Sequence, residues 1–498
     1  MLRANTLILC LILLLMLTAC GGSAAPATAP AATSAPAPTY HAAPLEAIAD
    51  SQAKIEFGST TRTVDDRFST FAIDVDTGSY TAARNALTHG YLPSPQAVRV
   101  EEFINYFQYN YPAPNDTFGI TIDAAPTPFE QSKRQIVRIG LQSKQIAVDE
   151  RKPARLTFVI DISGSMSAEN RLPLVKKSLR LLVEELKPSD HIAIVVYGDQ
   201  ARTVLDYTSA AERDRILRVI DSLQTEGSTN AEAGLRMAYK LAANNFHEDE
   251  NNRIILCSDG VANVGATNPT AIRQSIRDYT TTFGIYLTTI GFGMGDYNDH
   301  LMEQLADDGN GNYAYVDTLN EAKRVFIENL TGTLQVIAKD AKIQVEFNPE
   351  VVSTYRLLGY ENRALADSDF RNDAVDAGEV GAGHSVTALY EIVPTEQASG
   401  PALTVRVRYA DPSNGEVHEI EQQFDLAASR PFEQTAPQFQ LAVTVSGFAE
   451  LLRENPNTQS YQFSDLVTIV ERISPQLAND ESVRELLELI KRADDLQG

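Results

Sequence analysis

The sequence predicts an α/β protein: a doubly wound, mostly parallel sheet flanked by a β-rich domain and a C-terminal helical segment. Three observations carry this. Between residues 155 and 334, short apolar runs alternate with stretches of helical spacing, as strand–helix–strand units do. The runs at 158–160, 192–197 and 254–257 are continuously apolar, as strands covered on both faces are. After Lys339 the period changes to two, in Ile343-x-Val345-x-Phe347 and Leu403-x-Val405-x-Val407-x-Tyr409, which marks half-buried antiparallel strands.

Along the chain, residues 7–17 form an apolar run behind Arg3 that ends in Leu17-Thr18-Ala19-Cys20-Gly21. It is short for a membrane span and has the shape of a secretory signal. Leu17 to Cys20 resembles the bacterial lipobox, so residues 1–19 are expected to be a lipoprotein signal peptide and Cys20 the lipidated residue. Residues 20–60 read as a tether, because the stretch after Cys20 is rich in Ala, Pro, Ser and Thr with no aromatic before Tyr40. Residues 61–150 read as an N-terminal flanking domain, with a strand at 71–75, helices at 80–89 and 96–107, and alternating strands at 118–122 and 137–141. Asp76-Thr77-Gly78-Ser79 looks like an aspartic-protease turn, but no second copy supplies the partner carboxylate. It reads instead as a strand end before a helix, with Thr77 or Ser79 near the cap.

Residues 153–335 form the α/β domain. Leu172, Val175, Leu179, Leu182 and Leu186 fall at helical spacing, with Pro173 in the first turn. Strands at 192–197, 203–205, 253–258, 285–290 and 313–316 alternate with helices at 216–223, 231–246, 271–279 and 300–306. Asp308-Gly-Asn310-Gly-Asn312 copies the opening of an EF-hand loop, but Tyr313 stands in place of its glycine and Leu319 in place of its closing Glu. It reads as a helix-to-strand turn. Gly291-Phe-Gly-Met-Gly295 reads as a tight rim loop that leaves Asp296 or Asp299 to face a partner. Residues 340–430 form the β-rich domain. Similar strands precede the α/β domain, so the latter is expected to interrupt one β domain. Residues 435–498 form the helical segment.

Charge and composition exclude some functions. Among 498 residues, 66 acidic side chains oppose 42 basic ones, for a formal charge of −24. Nucleic acid binding needs the opposite balance. Seven His residues, with no H-E-x-x-H and no paired C-x-x-C, argue against zinc chemistry. Cys10 lies in the signal and Cys20 would carry lipid. Cys257, inside an apolar run, is expected to be an inert buried thiol.

The chemistry concentrates in three turns. Asp161, Ser163 and Ser165 follow the strand at 158–160 at alternate positions. In open α/β sheets ligands bind at that end of the strands. One carboxylate and two hydroxyls make a hard, oxygen-only donor set suited to Mg²⁺, Mn²⁺ or Ca²⁺. By itself the motif also fits a turn whose side chains serve its own backbone. Gly227-Ser-Thr229-Asn230 and Leu256-Cys-Ser-Asp259-Gly260 add two more oxygen-bearing turns.

Together these residues resemble the von Willebrand factor type A domain. Asp161, Ser163, Ser165, Thr229 and Asp259 match, in order, that family's metal-ion-dependent adhesion site. The resemblance implies that the serines and threonine touch the metal and that the aspartates act mainly through water. It also implies one open position for a partner's carboxylate. Ser258 stands where Thr is commoner in the family. The runs Ile73-Asp-Val-Asp-Thr-Gly-Ser-Tyr80, Val98-Arg-Val-Glu-Glu-Phe-Ile-Asn-Tyr106, Tyr355-Arg-Leu-Leu-Gly-Tyr-Glu-Asn-Arg363 and Gly383-His-Ser-Val-Thr-Ala-Leu-Tyr-Glu391 are similar to the bacterial YfbK-type lipoproteins.

The expected function is therefore that of a lipid-anchored protein of the bacterial cell envelope. It would bind a protein partner, through an Asp or Glu carboxylate, at a divalent-cation site holding Mg²⁺, with Mn²⁺ or Ca²⁺ as alternatives. A Mg²⁺-dependent hydrolase using the same crevice is the rival reading, weakened because no His or Lys lies in the three loops to act as a base. An envelope scaffold with an unused metal site is the third.

Overall fold

The computed structural model describes residues 57–497 apart from 131, 261–268, 294–298, 397–398 and 478–479, with backbone alone at 269–272 and 299–300. The signal, Cys20 and nearly all of the tether lie outside the described residues, as does Asp296. Asp299 is described in backbone only.

At the centre is a six-stranded sheet in the order Tyr313–Val316, Tyr286–Phe292, Asn251–Ser258, Ala154–Asp161, His191–Tyr197, Ala201–Ser209. Its pairs are parallel except the last, where Ala201–Ser209 runs antiparallel at the edge. This edge strand extends well beyond the predicted 203–205. Every residue of Ala154–Asp161 is buried. Leu156, Phe158 and Ile160 join one cluster with Val175, Leu179 and Ile216. Val159 joins another on the opposite face with Leu235, Tyr239 and Met302. The period-two alternation of a strand thus feeds two helical layers, which is why the sequence there is apolar without interruption.

The strands outside this domain form two further sheets. Thr61–Arg62, Val352–Leu358, Ser385–Pro394, Gln135–Ser143 and Phe118–Pro126 make one, antiparallel throughout. Gly378–Gly381, Val336–Phe347, Pro401–Ala410 and Val417–Asp425 make the other, and Phe68–Ala72 also pairs with Val336–Phe347. Their inner faces share one apolar cluster, including Phe71, Val137, Ile139, Val345, Tyr390 and Val405. Ile139 sits opposite Ala388, so strands from before and after the α/β domain lie side by side. Residues 61–150 and 340–430 are therefore not separate bodies.

The C-terminal helices Pro437–Leu452, Phe463–Ile473 and Glu481–Gln497 pack in the same way on the N-terminal ones. Phe448, Val470 and Leu486 share a core with Tyr80, Phe103 and Ile136. Thr77 takes the cap position of helix Gly78–Thr88, but its side chain makes no capping hydrogen bond. Glu102 Oε2 accepts from Ser79 N instead, at 2.7 Å. Asp76 Oδ1 accepts from Tyr313 N at 2.9 Å and Asp74 pairs with Arg363. Asp76 thus joins the flanking segment to the central sheet, and Asp74 joins it to the β-rich region.

Candidate metal-ion-dependent site

Asp161 is the last residue of the fully buried central strand and is itself wholly buried. Its Oδ1 accepts from Ser163 N at 2.8 Å, which turns the chain sharply, and its Oδ2 accepts from Ser258 Oγ at 3.0 Å. Ser258 ends the neighbouring parallel strand, where Cys257 pairs with Ile160, so the bond joins two adjacent strand ends. Burial raises the Asp161 carboxyl above its ordinary range, as does the charge of Asp259, while the Ser163 and Ser258 donors act in the opposite sense. The neighbouring Tyr197 phenol is also pushed up, by burial first and then by the Asp161 charge.

Beyond Asp161 a short 3-10 turn, Gly164–Ser167, exposes the Ser165 side chain while Ser163 stays buried. The two serine hydroxyls lie 3.0 Å apart. The second loop is tied to the first by backbone, with Glu226 N donating to Ile162 O and Gly164 N to Gly227 O, at 2.6 and 3.1 Å. Gly227 has φ +66, and a Cβ there would meet the Asp199 carboxyl at 2.3 Å. The left-handed backbone and this close approach both favour glycine. Asp199 accepts from Ser228 N and Oγ, which holds its carboxyl below the usual range. Asn230 then caps helix Ala231–Asn244 through Ala233 N. Thr229 is half-buried between these anchors.

The third loop carries Asp259, and here the structure adds a residue that sequence reasoning missed. Arg171, immediately before helix Leu172–Glu185, turns back over the crevice. Its Nη1 donates to Asp259 Oδ2 at 2.6 Å and to Ser165 O at 2.8 Å, and its Nε donates to Gly293 O at 3.2 Å. A basic residue just before the helix was visible in sequence, but nothing in local spacing says that it reaches Asp259.

Four of the five expected residues are thus linked. Asp161 bonds to Ser163, Ser163 meets Ser165, and Arg171 joins the Ser165 carbonyl to Asp259. Thr229 follows the loop that Gly227 ties to Gly164, and its side chain makes no hydrogen bond to the other four. Among the described residues no group of three or more His, Cys, Asp or Glu side chains is arranged to hold a metal. The crevice offers two serine hydroxyls and two carboxylates instead, beside the loop that carries Thr229. That set fits a hard cation: adjacent ligands at about 2.1 Å on an octahedral Mg²⁺ are about 3.0 Å apart, the separation of the two serine hydroxyls. Cys257, beside Ser258, is buried and its thiol is pushed up, as an inert core residue is.

Family models match three stretches of the chain. The model described as von Willebrand factor type A domain matches residues 156–330, which contain all five site residues. This is a von Willebrand factor type A domain protein. A second model, described as von Willebrand factor, matches residues 48–138 of this type A domain protein. A third, described as uncharacterized protein YfbK, C-terminal, matches 332–401 and 395–496. The protein is 42% identical over 350 residues to uncharacterized protein YfbK of Escherichia coli (strain K12). That match covers 68% of this chain and 60% of YfbK. It is also 31% identical over 168 residues to inter-alpha-trypsin inhibitor heavy chain H4 of Homo sapiens, covering 32% of this chain and 18% of that one. Among solved structures, the von Willebrand factor type A protein from Catenulispora acidiphila aligns at 15% identity and a TM-score of 0.44, covering 74% of this chain and 89% of that one.

Proposed function

We propose that this protein binds a protein partner in a divalent-cation-dependent manner, through a carboxylate that the partner supplies. The type A domain points to an interaction or adhesion-type role. The observation that supports the finer reading is the linkage of Asp161, Ser163, Ser165 and Asp259 at one end of the sheet, beside the loop that carries Thr229. A bound Mg²⁺, Mn²⁺ or Ca²⁺ would supply a positive centre to which an Asp or Glu of the partner binds. Ser163, Ser165 and Thr229 would hold it through hydroxyl oxygens. Asp161, whose oxygens already serve Ser163 N and Ser258 Oγ, places the first loop and contributes charge. Because most direct donors are neutral, they leave the cation under-neutralised and receptive to a further carboxylate.

The lipobox-like Leu17-Thr18-Ala19-Cys20 supports placing this activity at the bacterial cell envelope, tethered to a membrane by lipid on Cys20. Among the described residues no helix is long and apolar enough to cross a membrane. Mass spectrometry of the mature chain tests the anchor. A diacylglyceryl-modified Cys20, lost in Cys20→Ala, is expected, and an unmodified mature Cys20 rules the anchor out.

Capture of envelope proteins on the immobilised chain tests the binding. A partner held in Mg²⁺ should be released by EDTA and should fail to bind Thr229→Ala, which removes one ligand oxygen without changing charge. Replacing one Asp or Glu of that partner by Ala should abolish capture. Capture that survives both chelation and Thr229→Ala overturns the reading.

A further inference from the structure

Arg171 stands in an unusual position for a surface cation. Its side chain is 27% exposed, while the Asp259 side chain that it meets is 6% exposed. Two of its three hydrogen bonds go to main-chain carbonyls, of Ser165 and Gly293. Those carbonyls fix the guanidinium in place without neutralising it. The third uses an oxygen of Asp259, one of the two carboxylates expected to draw a cation into the crevice. An exposed ion pair held at one point contributes little. This one is held at three points, by two of the site's loops and the loop that follows Tyr286–Phe292.

The electrostatic consequence follows from charge counting. Asp161 and Asp259 bring two negative charges to the crevice and Arg171 takes one back. A divalent cation drawing on Asp259 must share that carboxylate with a fixed positive charge a few ångströms away, and at such distances the repulsion is large even at a high effective dielectric constant. A partner's carboxylate reverses the balance, because it adds the negative charge that Arg171 has offset.

We propose that Arg171 competes with the divalent cation for Asp259, and so keeps metal affinity low until a partner carboxylate is present. This makes Arg171 a positioning and affinity-setting residue, and makes metal and partner bind together. The inference rests on the metal reading proposed above.

Isothermal titration of Mn²⁺ into the full chain tests it, with Arg171→Gln and Arg171→Lys alongside the wild type. Arg171→Gln removes the charge and should bind Mn²⁺ about tenfold more tightly or more. Arg171→Lys keeps the charge and should stay close to the wild type. A purely structural role predicts the opposite sign, with weaker binding once Asp259 loses its anchor. Equal or weaker Mn²⁺ binding by a folded Arg171→Gln overturns the inference while leaving the metal reading intact. Absence of Mn²⁺ binding in every chain overturns both. Should Arg171→Gln fail to fold, the wild type still decides the matter by NMR. The Arg171 Nε–H signal, assigned by its loss in Arg171→Lys, should move as Mg²⁺ saturates the site. A signal indifferent to saturating Mg²⁺ contradicts the competition.

Discussion

Ser258 Oγ donates to Asp161 Oδ2 at 3.0 Å, joining the ends of two adjacent parallel strands beneath the candidate metal site. Both residues are wholly buried, so neither reaches water if the bond is lost. Ser258→Ala should cost about 1.5–3 kcal/mol of stability, the range for a hydrogen bond to a charged group. It should also raise the Asp161 carboxyl further, because one of its supporting donors is gone. Urea unfolding at neutral pH measures the first effect. A cost below about 0.5 kcal/mol would mean that Asp161 finds another donor.

A second buried pair sits at the opposite end of the same strand. Arg151 and Asp190 have fully buried side chains 2.7 Å apart, and Asp190 also accepts from Ala154 N and Lys187 N. Asp190→Ala would leave the Arg151 charge buried without its partner. The expected cost is about 3–5 kcal/mol, read as a lower denaturation midpoint with an unchanged slope. A loss under about 1 kcal/mol would show that water reaches Arg151 in the variant.

The parts legible in sequence were those whose signal is local. The apolar runs of the central sheet show because both faces are covered, and Asp161, Ser163 and Ser165 show because one turn carries all three. Strand Val352–Leu358 was not visible, since Arg356 interrupts its apolar pattern. The structure buries that side chain against Glu391 and Glu450, at 2.9 and 3.4 Å, a pairing that no local window contains. Thr77 looked like a helix cap because its type and position suit one, yet Glu102 serves Ser79 N from 23 residues away. Arg171 escaped notice for the same reason: Asp259, its partner, lies 88 residues on.

Acid and base should act on the flanking region through Glu101. Burial, then the charges of Glu361 and Asp74, raise its carboxyl from 4.5 to about 7, while Tyr360 N donates to it. Between those values the folded chain holds a proton that the unfolded chain has released. Its contribution to stability is therefore lost as pH rises from about 4.5 through about 7. Glu101→Gln keeps an acceptor for Tyr360 N and removes the titration. Its stability should fall less than that of the wild type between pH 5 and pH 7.5 in urea unfolding. Parallel pH profiles would assign the decline to other groups.

Mg²⁺-dependent unfolding tests most directly whether Asp161, Ser163, Ser165, Thr229 and Asp259 hold one divalent cation. A ligand bound only by the folded chain adds about 2.7 kcal/mol at a hundred times its Kd. Mg²⁺ should raise the unfolding midpoint of the wild type, whereas Asp161→Ala and Thr229→Ala should each lose most of that rise relative to their own metal-free midpoints. A rise of equal size in the wild type and both variants would place the ion away from these five residues.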